Sequence, residues 1–523
     1  GDIEGAQQLF EDVARQDPED AFAAYYLGQT RMQLGDMPGA LTSLRRAIDL
    51  DPYLRSALYA GAQAARRAGD TALAASWLET FQRMEHNPRA HLAELKYTRM
   101  GPKAELAALN AQLGPPPPQP SGPLFDEASA SLVPWAESAT VNALSAGWID
   151  GTLHVLAAGD GSSMYRLQQE GDESKGMVIR GPMASPFSDL KASAALWGDV
   201  DSDGQLDVVL CGDGTNQLWL GRGDGGYELD QRFETSNANT VDGALFDADH
   251  DGDLDVLMVN DGQPCQLLGN NGDGSWRTIR DEASGFPETM MQGRQVVVSD
   301  FDGDLDTDVL LIGQSPPHMV WANDRLWAWS KPEQGWDGLL QAEVSAAVAA
   351  DLNADGQIDL ITSQPDASLK IWSRGEAVWS SEDLAAPMAT PPHSAAVRRH
   401  NPSPRQLAVA DLDGDGQLDV VAESAWGMSN QQGTMPLLEV LRGSGQREIL
   451  SIAAQRWMLC DVGSSHGPGL LVSESEGLKC YPPGAGRFSF VNVLPQGRTD
   501  TGQSMRSNMS GIGTHIAARV EDR

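Results

Sequence analysis

The chain has little cysteine, few basic residues and no long apolar run. Its cysteines, Cys211, Cys265, Cys460 and Cys480, form neither a CxxC nor a CxxCH motif, which argues against a zinc ribbon and an attached c-type haem. Because no stretch of about 18 apolar residues occurs, the sequence predicts no membrane span. Lys and Arg number 37 against 73 Asp and Glu, a formal net charge of −36. We expect so acidic a chain to repel nucleic acids and anionic membranes.

Catalytic motifs are missing as well. The sequence contains no GxSxG, HExxH or P-loop motif and no pair of histidines at metal-binding spacing, so we expect no enzyme activity. His250 occupies a variable position in an acidic loop and is predicted to face solvent. A polar, Pro-rich insertion holds His393, Arg398, Arg399 and His400, and it is either a plain surface loop or a contact loop for a partner.

One acidic loop, in contrast, is repeated five times. The copies read DVDSDGQLD from Asp199, DADHDGDLD from Asp247, DFDGDLDTD from Asp300, DLNADGQID from Asp351 and DLDGDGQLD from Asp411. Each has an oxygen-bearing side chain at positions 1, 3, 5 and 9, and four have Gly at position 6. Asp and Asn oxygens arranged round a sharp turn suit a hard cation such as calcium. We expect about five structural calcium ions.

The N-terminal residues 1–88 repeat with a period of 34. Gly-Asp recurs at positions 1, 35 and 69, an alanine at 6, 40 and 74, and a bulky apolar residue at 10, 44 and 78. The pattern resembles the tetratricopeptide repeat, which implies an α-solenoid over residues 1–113 that docks proteins or acts as a spacer. Residues 88–113 are expected to add one or two capping helices. Four successive prolines at 115–118 predict a stiff linker over 114–121.

After residue 135 the sequence consists of short apolar runs and Gly-rich turns. Each acidic loop lies between two β-rich runs, and the spacings between loops are 48, 53, 51 and 60 residues. About fifty residues make one four-stranded propeller blade. Two degenerate copies, from Ala146 and Asp461, flank the five loops. The fold class is therefore predicted as multidomain α + all-β: an α-solenoid followed by a seven-bladed β-propeller over residues 122–495, with calcium-binding hairpin loops.

These blades resemble the FG-GAP or VCBS-type repeats of integrin α-subunit propellers and of many bacterial secreted proteins. The stretches NNGDGSW at 270–276 and DGDGQLDVV at 413–421 are typical. In that family, positions 1, 3, 5 and 9 supply the side-chain ligands of calcium. The resemblance implies these metal ligands: Asp199, Asp201, Asp203, Asp207, Asp247, Asp249, Asp251, Asp255, Asp300, Asp302, Asp304, Asp308, Asp351, Asn353, Asp355, Asp359, Asp411, Asp413, Asp415 and Asp419.

Two loops depart from the pattern. Leu305 replaces Gly at position 6 of the third loop, where a side chain strains a turn that needs positive φ, so we expect a weaker site there. Asn353 removes one charge from the fourth loop. Outside the loops, Cys460 and Cys480 fall in neighbouring predicted strands and either form a disulfide or remain buried free thiols. The 14 tryptophans mostly occupy apolar blade positions, which core packing explains better than a sugar-binding platform.

The C-terminal stretch SNMSGIGTHIAARVEDR, from Ser507, resembles the start of the ASPIC/UnbV region found in bacterial and cartilage-acidic-protein-like sequences. Residues 496–523 are accordingly predicted to be a tail that leads into such a region. Since the chain begins at Gly1 without Met and stops where that region would become a domain, we expect both ends to be processed or trimmed.

Together these observations predict a non-enzymatic, calcium-stabilised scaffold for protein–protein interaction. We expect it outside the cytoplasm (periplasmic, cell-surface or secreted), where calcium is near millimolar, as a subunit of a larger assembly. By resemblance to integrin α-subunits, partner proteins would bind the propeller face opposite the calcium loops, and the helical array would offer a second docking surface. One alternative is a glycan-binding adhesin, which exposed Trp or Tyr on one rim would support. Another is an enzyme with a site in the propeller channel.

Overall fold

The computed structural model describes residues 3–84 except 19, residues 90, 92 and 93, and most of residues 120–489. The gaps in the last range are 136–139, 150, 170–176, 184–185, 188–189, 224, 283–284, 289, 305, 325–326, 333, 376–377, 388–396, 400–405, 431–432 and 463–466. The predicted capping helices, most of the Pro-rich linker and the C-terminal tail lie outside the described residues. The chain divides into two compact units, with the boundary between residues 116 and 117.

The N-terminal unit is helical. Its described helices are α1 (Ile3–Gln16), α2 (Ala21–Gln33), α3 (Met37–Leu50), α4 (Arg55–Arg67) and α5 (Thr71–Arg83). The recurring Gly-Asp pair marks the junctions between them. Gly35 and Gly69 have φ of 85° and 88°, the left-handed conformation that ends a helix, and the following aspartates begin the next one. The side chain of Asp36 accepts the Gly39 N–H at 3.0 Å, and that of Asp70 accepts the Leu73 N–H at 2.9 Å.

Glycine allows the paired helices to approach closely. A Cβ on Gly28 of α2 would lie 2.6 Å from Cγ of Leu44 on α3, and a Cβ on Gly61 of α4 would lie 2.8 Å from the Trp77 ring on α5. Both Ala40 and Leu44 have no exposed surface. Leu44, the bulky position of the middle repeat, therefore packs against Gly28 of the preceding helix. Within the described residues, no helix has the length and apolar character needed to cross a bilayer.

The second unit is built of antiparallel strands. Strand β1 (Ser131–Pro134) comes first, and the remaining described strands follow in seven consecutive strand groups. Group 1 comprises β2 (Val141–Ile149), β3 (Thr152–Gly159), β4 (Ser163–Gln169) and β5 (Met177–Met183), and group 2 comprises β6 (Lys191–Gly198), β7 (Asp207–Gly214), β8 (Gln217–Gly221) and β9 (Tyr227–Leu229). Group 3 comprises β10 (Ala238–Phe246), β11 (Asp255–Pro264), β12 (Gln266–Asn270) and β13 (Trp276–Ile279). Group 4 comprises β14 (Met290–Ser299), β15 (Asp308–Gly313), β16 (Met319–Asn323) and β17 (Trp329–Ser330).

The last three groups depart somewhat from this regular pattern. Group 5 comprises β18 (Ala346–Ala350), β19 (Asp359–Ser363), β20 (Leu369–Arg374) and β21 (Trp379–Ala385), and the short helix α6 (Asp337–Leu340) precedes it; group 6, β22 (Val397–Arg399), β23 (Leu407–Ala410), β24 (Asp419–Asn430), β25 (Gly433–Leu441) and β26 (Arg447–Ala453); group 7, β27 (Arg456–Cys460), β28 (Gly469–Ser473) and β29 (Gly477–Tyr481). In group 6, β22 and β23 pair with different halves of the long strand β24. Group 7 obtains its fourth strand from β1, because Ser131 pairs with Cys480.

Successive groups pack on one another through their first strands, except that group 6 packs through β23. Strand β6 contacts both β2 and β10, β14 contacts both β10 and β18, and β18 contacts β23. The Gln406 amide, just before β23, exchanges two hydrogen bonds with the backbone of Trp457 on β27. Strand β27 in turn contacts β2, where Arg456 Nε donates to the Asn142 carbonyl at 2.6 Å. Group 7 therefore packs on group 1.

The apolar core lies between neighbouring groups. For example, Leu153 and Val155 of group 1 share one buried cluster with Leu471 and Leu478 of group 7. Similar clusters join each of the other neighbouring pairs of groups. Each strand group thus buries its apolar surfaces against the two groups beside it.

Candidate metal centres

The five acidic loops occupy the same place in five successive strand groups. In groups 2 to 5 each loop connects the first and second strands, namely β6–β7, β10–β11, β14–β15 and β18–β19, and in group 6 it connects β23 and β24. The two degenerate copies sit at the equivalent junctions of groups 1 and 7. The copy from Ala146 is a tight turn, since β2 ends at Ile149 and β3 begins at Thr152, and so has no room for an ion-binding loop.

Positions 4 and 6 adopt the left-handed backbone conformation in every loop where the structure describes them. At position 6, Gly204, Gly252, Gly356 and Gly416 have φ between 85° and 102°. Position 4 is left-handed too, with φ of 58° at Ser202, 64° at His250 and 57° at Ala354. From the sequence, positive φ was predicted only at position 6. Gly303 and Gly414, at position 4 of the third and fifth loops, are the sequence feature that could have predicted positive φ at position 4 as well. Leu305, for which we predicted strain, lies outside the described residues.

Backbone N–H groups hold the loop carboxylates in place. In the first loop, Asp199 accepts the N–H groups of Asp203 and Gly204, both at 3.0 Å. Asp201 accepts the same Asp203 N–H at 3.2 Å, and Asp203 accepts that of Gln205 at 2.8 Å. Equivalent bonds recur in the second and fourth loops, and the third and fifth have closely related sets. The oxygens at positions 1, 3 and 5 are thus oriented by the turn itself.

Four of the loops bring three carboxylates into one cluster. In each cluster, one oxygen from every member lies within 4.8 Å of the others, and the members are Asp199, Asp201 and Asp203; Asp247, Asp249 and Asp251; Asp300, Asp302 and Asp304; and Asp411, Asp413 and Asp419. The fourth loop, with Asn353 at position 3, does not form such a cluster of described carboxylates, although Asp351, Asn353 and Asp355 keep the same hydrogen bonds. A donor set made only of oxygens fits calcium.

The aspartate at position 9 has a different environment from the other predicted ligands. Asp255 is fully buried and accepts the N–H groups of Ala248, in its own loop, at 2.8 Å and of Asn270, at the end of β12, at 2.9 Å. Asp207, Asp308 and Asp419 accept the corresponding pairs. In the first three loops this residue lies outside the carboxylate cluster. Position 9 therefore fastens the loop to the third strand of its group.

Basic side chains contact several loops. Arg442 NH1 lies 2.9 Å from Oδ2 of Asp413, which is buried in the fifth loop. Arg277 approaches Asp249 of the second loop at 3.6 Å. His250 is exposed, as predicted, and its Nε2 also lies 3.2 Å from a carboxylate oxygen of Asp306 in the third loop. No local sequence pattern could predict these contacts, because the partner residues come from other hairpins.

Burial raises the pKa of several of these carboxyl groups. It raises the pKa of Asp255 to about 8 and those of Asp207 and Asp308 to about 7. Burial likewise raises the pKa values of Asp199 and Asp247 to about 6, and neighbouring loop carboxylates add to the rise. A bound cation would remove this penalty, since it favours the ionised form.

These shifts predict how the stability of the calcium-free protein depends on pH. A carboxyl whose pKa is about 4 in the unfolded chain and 6 to 8 in the folded chain binds more protons when folded, so stability falls as the pH rises between those values. We expect the calcium-free melting temperature to be higher at pH 5 than at pH 8, and calcium to restore more stability at pH 8. Scanning calorimetry on dialysed protein would measure both. A calcium-free melting temperature that rises over this range would contradict the assignment.

Three further sequence predictions bear on the site. Cys460 and Cys480 are free thiols on β27 and β29, with β28 between them, so the free-thiol alternative applies. All 14 tryptophans are described and none has an exposed side chain, as core packing requires. Arg398 and Arg399 of the polar insertion lie exposed on β22, whereas His393 and His400 lie outside the described residues.

No curated protein matches this chain. Similar solved structures include BBS1N in complex with ARL6DN, soaked with lead, at 9% identity over 69% of this chain and 97% of that chain, with a TM-score of 0.42. Another is an Agrocybe aegerita lectin that recognises non-reducing terminal N-acetylglucosamine, at 15% identity over 60% of this chain and 80% of that chain, with a TM-score of 0.40.

Family models match both parts of the chain. Residues 1–54 match the tetratricopeptide repeat. Residues 199–258, 247–311 and 351–422 match the FG-GAP-like repeat, and these ranges contain all five acidic loops. The chain therefore carries an N-terminal helical tetratricopeptide region followed by a large β-rich region with FG-GAP-like repeats.

Proposed function

We propose that this protein is a non-enzymatic scaffold for protein–protein interactions, that calcium stabilises it, and that it works outside the cytoplasm as a subunit of a larger assembly. The observation that carries the proposal is the five equivalent acidic loops, whose oxygens are oriented by backbone N–H groups in five successive strand groups. Repeat folds of both kinds present broad, rigid surfaces, which suits binding of other proteins.

In this proposal the seven strand groups are the blades of a closed β-propeller. Contacts between their first strands support this, since they run from β2 through β23 to β27 and return to β2. Buried clusters between every pair of neighbours, including groups 7 and 1, support it as well. Because β1 completes the last blade, the N-terminal and C-terminal ends of the ring join within one sheet. The ring is then closed without an exposed strand edge at that point.

Calcium would be held by the loop oxygens at positions 1, 3 and 5, joined in the fifth loop by Asp419 at position 9. In the first three loops position 9 would brace the site from the neighbouring strand. The role is structural, because one hairpin supplies the ligands and the carboxylates would otherwise repel one another. Extracellular calcium modules typically bind with dissociation constants of about 0.1 to 1 mM, so such loops fill where calcium is near millimolar. This is the reason for placing the protein outside the cytoplasm.

The two alternative functions find less support. A sugar-binding platform would expose aromatic rings, yet none of the tryptophans is exposed. A catalytic site in the channel would gather titratable groups. The described histidines, however, lie in three different strand groups: His154 on β3 of group 1, His250 in the loop of group 3, and His318 just before β16 of group 4.

Gentle purification from the natural source, with calcium and then with chelator, tests the scaffold proposal. We expect a stoichiometric partner protein to co-elute in calcium and to be lost after chelation, as mass spectrometry would show. Magnesium in place of calcium is the control, because its smaller, octahedral site does not suit these loops. A protein that elutes alone under every condition, including cross-linking before lysis, would contradict a scaffold role.

A further inference from the structure

A cavity of about 250 Å³ opens between strand groups 4 and 5, beside the third acidic loop. Its walls come from both groups: Phe301 and Asp302 belong to the loop, Trp336 begins α6, and Arg374 and Trp379 lie on β20 and β21. A space of this size holds one long side chain or one small molecule. It lies at the same end of the strands as the acidic loops, whereas the sequence had suggested partner binding on the opposite face.

The apolar wall of this cavity consists of closely packed aromatic rings. The rings of Trp336 and Trp379 lie 4.8 Å apart, and Phe301 lies 5.7 Å from Trp336. The three residues are between 3% and 8% exposed, so the surrounding core fixes their positions. Aromatic rings attract cations through their negatively charged faces, by about 0.5 to 2 kcal/mol depending on how far the cation is desolvated.

The polar wall carries an excess of negative charge. Asp324 is exposed at the end of β16, and its carboxylate has no hydrogen-bond or ion-pair partner among the described residues. Asp302 belongs to the third loop, which holds five carboxylates and would remain negative with one divalent ion bound. The only cationic lining residue in the described part of the chain is Arg374, whose NH1 donates to the Phe301 carbonyl at 3.1 Å.

We propose that this cavity takes a basic side chain, arginine or lysine, from a partner protein. The proposal rests on the scaffold function above and specifies the chemistry of the partner. Carboxylates on one wall and aromatic rings on another are complementary to a cation carried on an aliphatic stem. The formal charge of −36 on the chain also favours approach of a basic segment.

The test uses single-residue probes and the full chain in about 1 mM calcium. N-acetyl-arginine amide is titrated while the indole signals of isotope-labelled tryptophan are followed by NMR. We expect saturable shifts for the arginine and lysine probes and none for the citrulline probe, which has nearly the same shape without the charge. Equal binding of citrulline, preferential binding of an acidic amino-acid amide or of a neutral sugar, or no saturable binding would overturn the proposal.

Three variants locate the binding. Asp324→Asn should weaken arginine binding at least tenfold, whereas Glu382→Gln, which removes an exposed carboxylate from β21 outside the cavity, should leave it unchanged. Arg374→Gln keeps a donor for the Phe301 carbonyl but removes the competing cation, so it should tighten binding about threefold or more. If Asp324→Asn and Glu382→Gln weakened arginine binding equally, the binding would reflect the overall negative charge of the protein and not this cavity. That result would overturn the proposal. Because the probes need no natural partner, a failed co-purification and a failed titration remain distinguishable.

Discussion

Removing calcium is expected to lower the melting temperature of the β-rich unit by about 10 °C. At about 1 mM calcium, a site with a dissociation constant of about 0.1 mM contributes roughly 1.4 kcal/mol, and five such sites contribute about 7 kcal/mol. For a unit of this size, 1 kcal/mol shifts the melting temperature by about 2 °C or slightly less. The cause is crowding: Asp247, Asp249 and Asp251, for example, place their oxygens within 4.8 Å of one another.

Differential scanning calorimetry with calcium, with magnesium and with chelator measures this effect. Magnesium should restore only a minor part of the loss, since it requires a smaller octahedral cage. The helical unit has no such loops and provides an internal reference if its transition is resolved. Identical melting temperatures in calcium and in chelator would show that the loops fold without an ion. That result would contradict the proposal that calcium stabilises the protein.

The second large effect is expected from Asp255→Ala. Its carboxyl accepts two buried N–H groups, from Ala248 and Asn270, and the substitution leaves both without partners. An unsatisfied buried donor costs about 1 to 3 kcal/mol, so we expect a loss of roughly 3 kcal/mol or more. Since the carboxyl can accept these bonds in either protonation state, the loss should be present both with and without calcium.

A substitution in the same loop separates fastening from metal binding. Asp251→Ala, at the exposed position 5, removes a proposed ligand but only one exposed hydrogen bond, from the Asp253 N–H. It should lower stability in calcium and have little effect in chelator. Chemical denaturation of both variants in both buffers completes the comparison. If Asp255→Ala were as mild as Asp251→Ala in chelator, position 9 would be a simple ligand and not a fastener.

The sequence predicted the position of every acidic loop, because the loop is a local pattern. Its aspartates bond to N–H groups two to five residues away, so the spacing of Asp and Gly reports the turn directly. The helical repeat could be predicted for the same reason, since the Gly-Asp pair is a helix end followed by a helix start.

The sequence did not predict interactions between distant residues. The second hydrogen bond of Asp255 comes from Asn270, fifteen residues later, and that of Asp419 comes from Gly443, twenty-four residues later. The Arg442–Asp413 pair spans a hairpin whose length varies between groups, and β22 forms within an insertion expected to be a loop. Such contacts depend on the stacking of whole sheets, which no short pattern encodes.

The pairing of β1 with β29 has a consequence for synthesis of the chain. The final strand group is complete only after Cys480 has been synthesised and can pair with Ser131. Likewise, the carbonyl of Leu124 accepts its hydrogen bond from Arg487, which is made 363 residues later. During translation, six finished groups would therefore hold exposed apolar flanks and unpaired edges while the last group is made. Premature termination just before β27 would release a product with two open ends that is prone to aggregate.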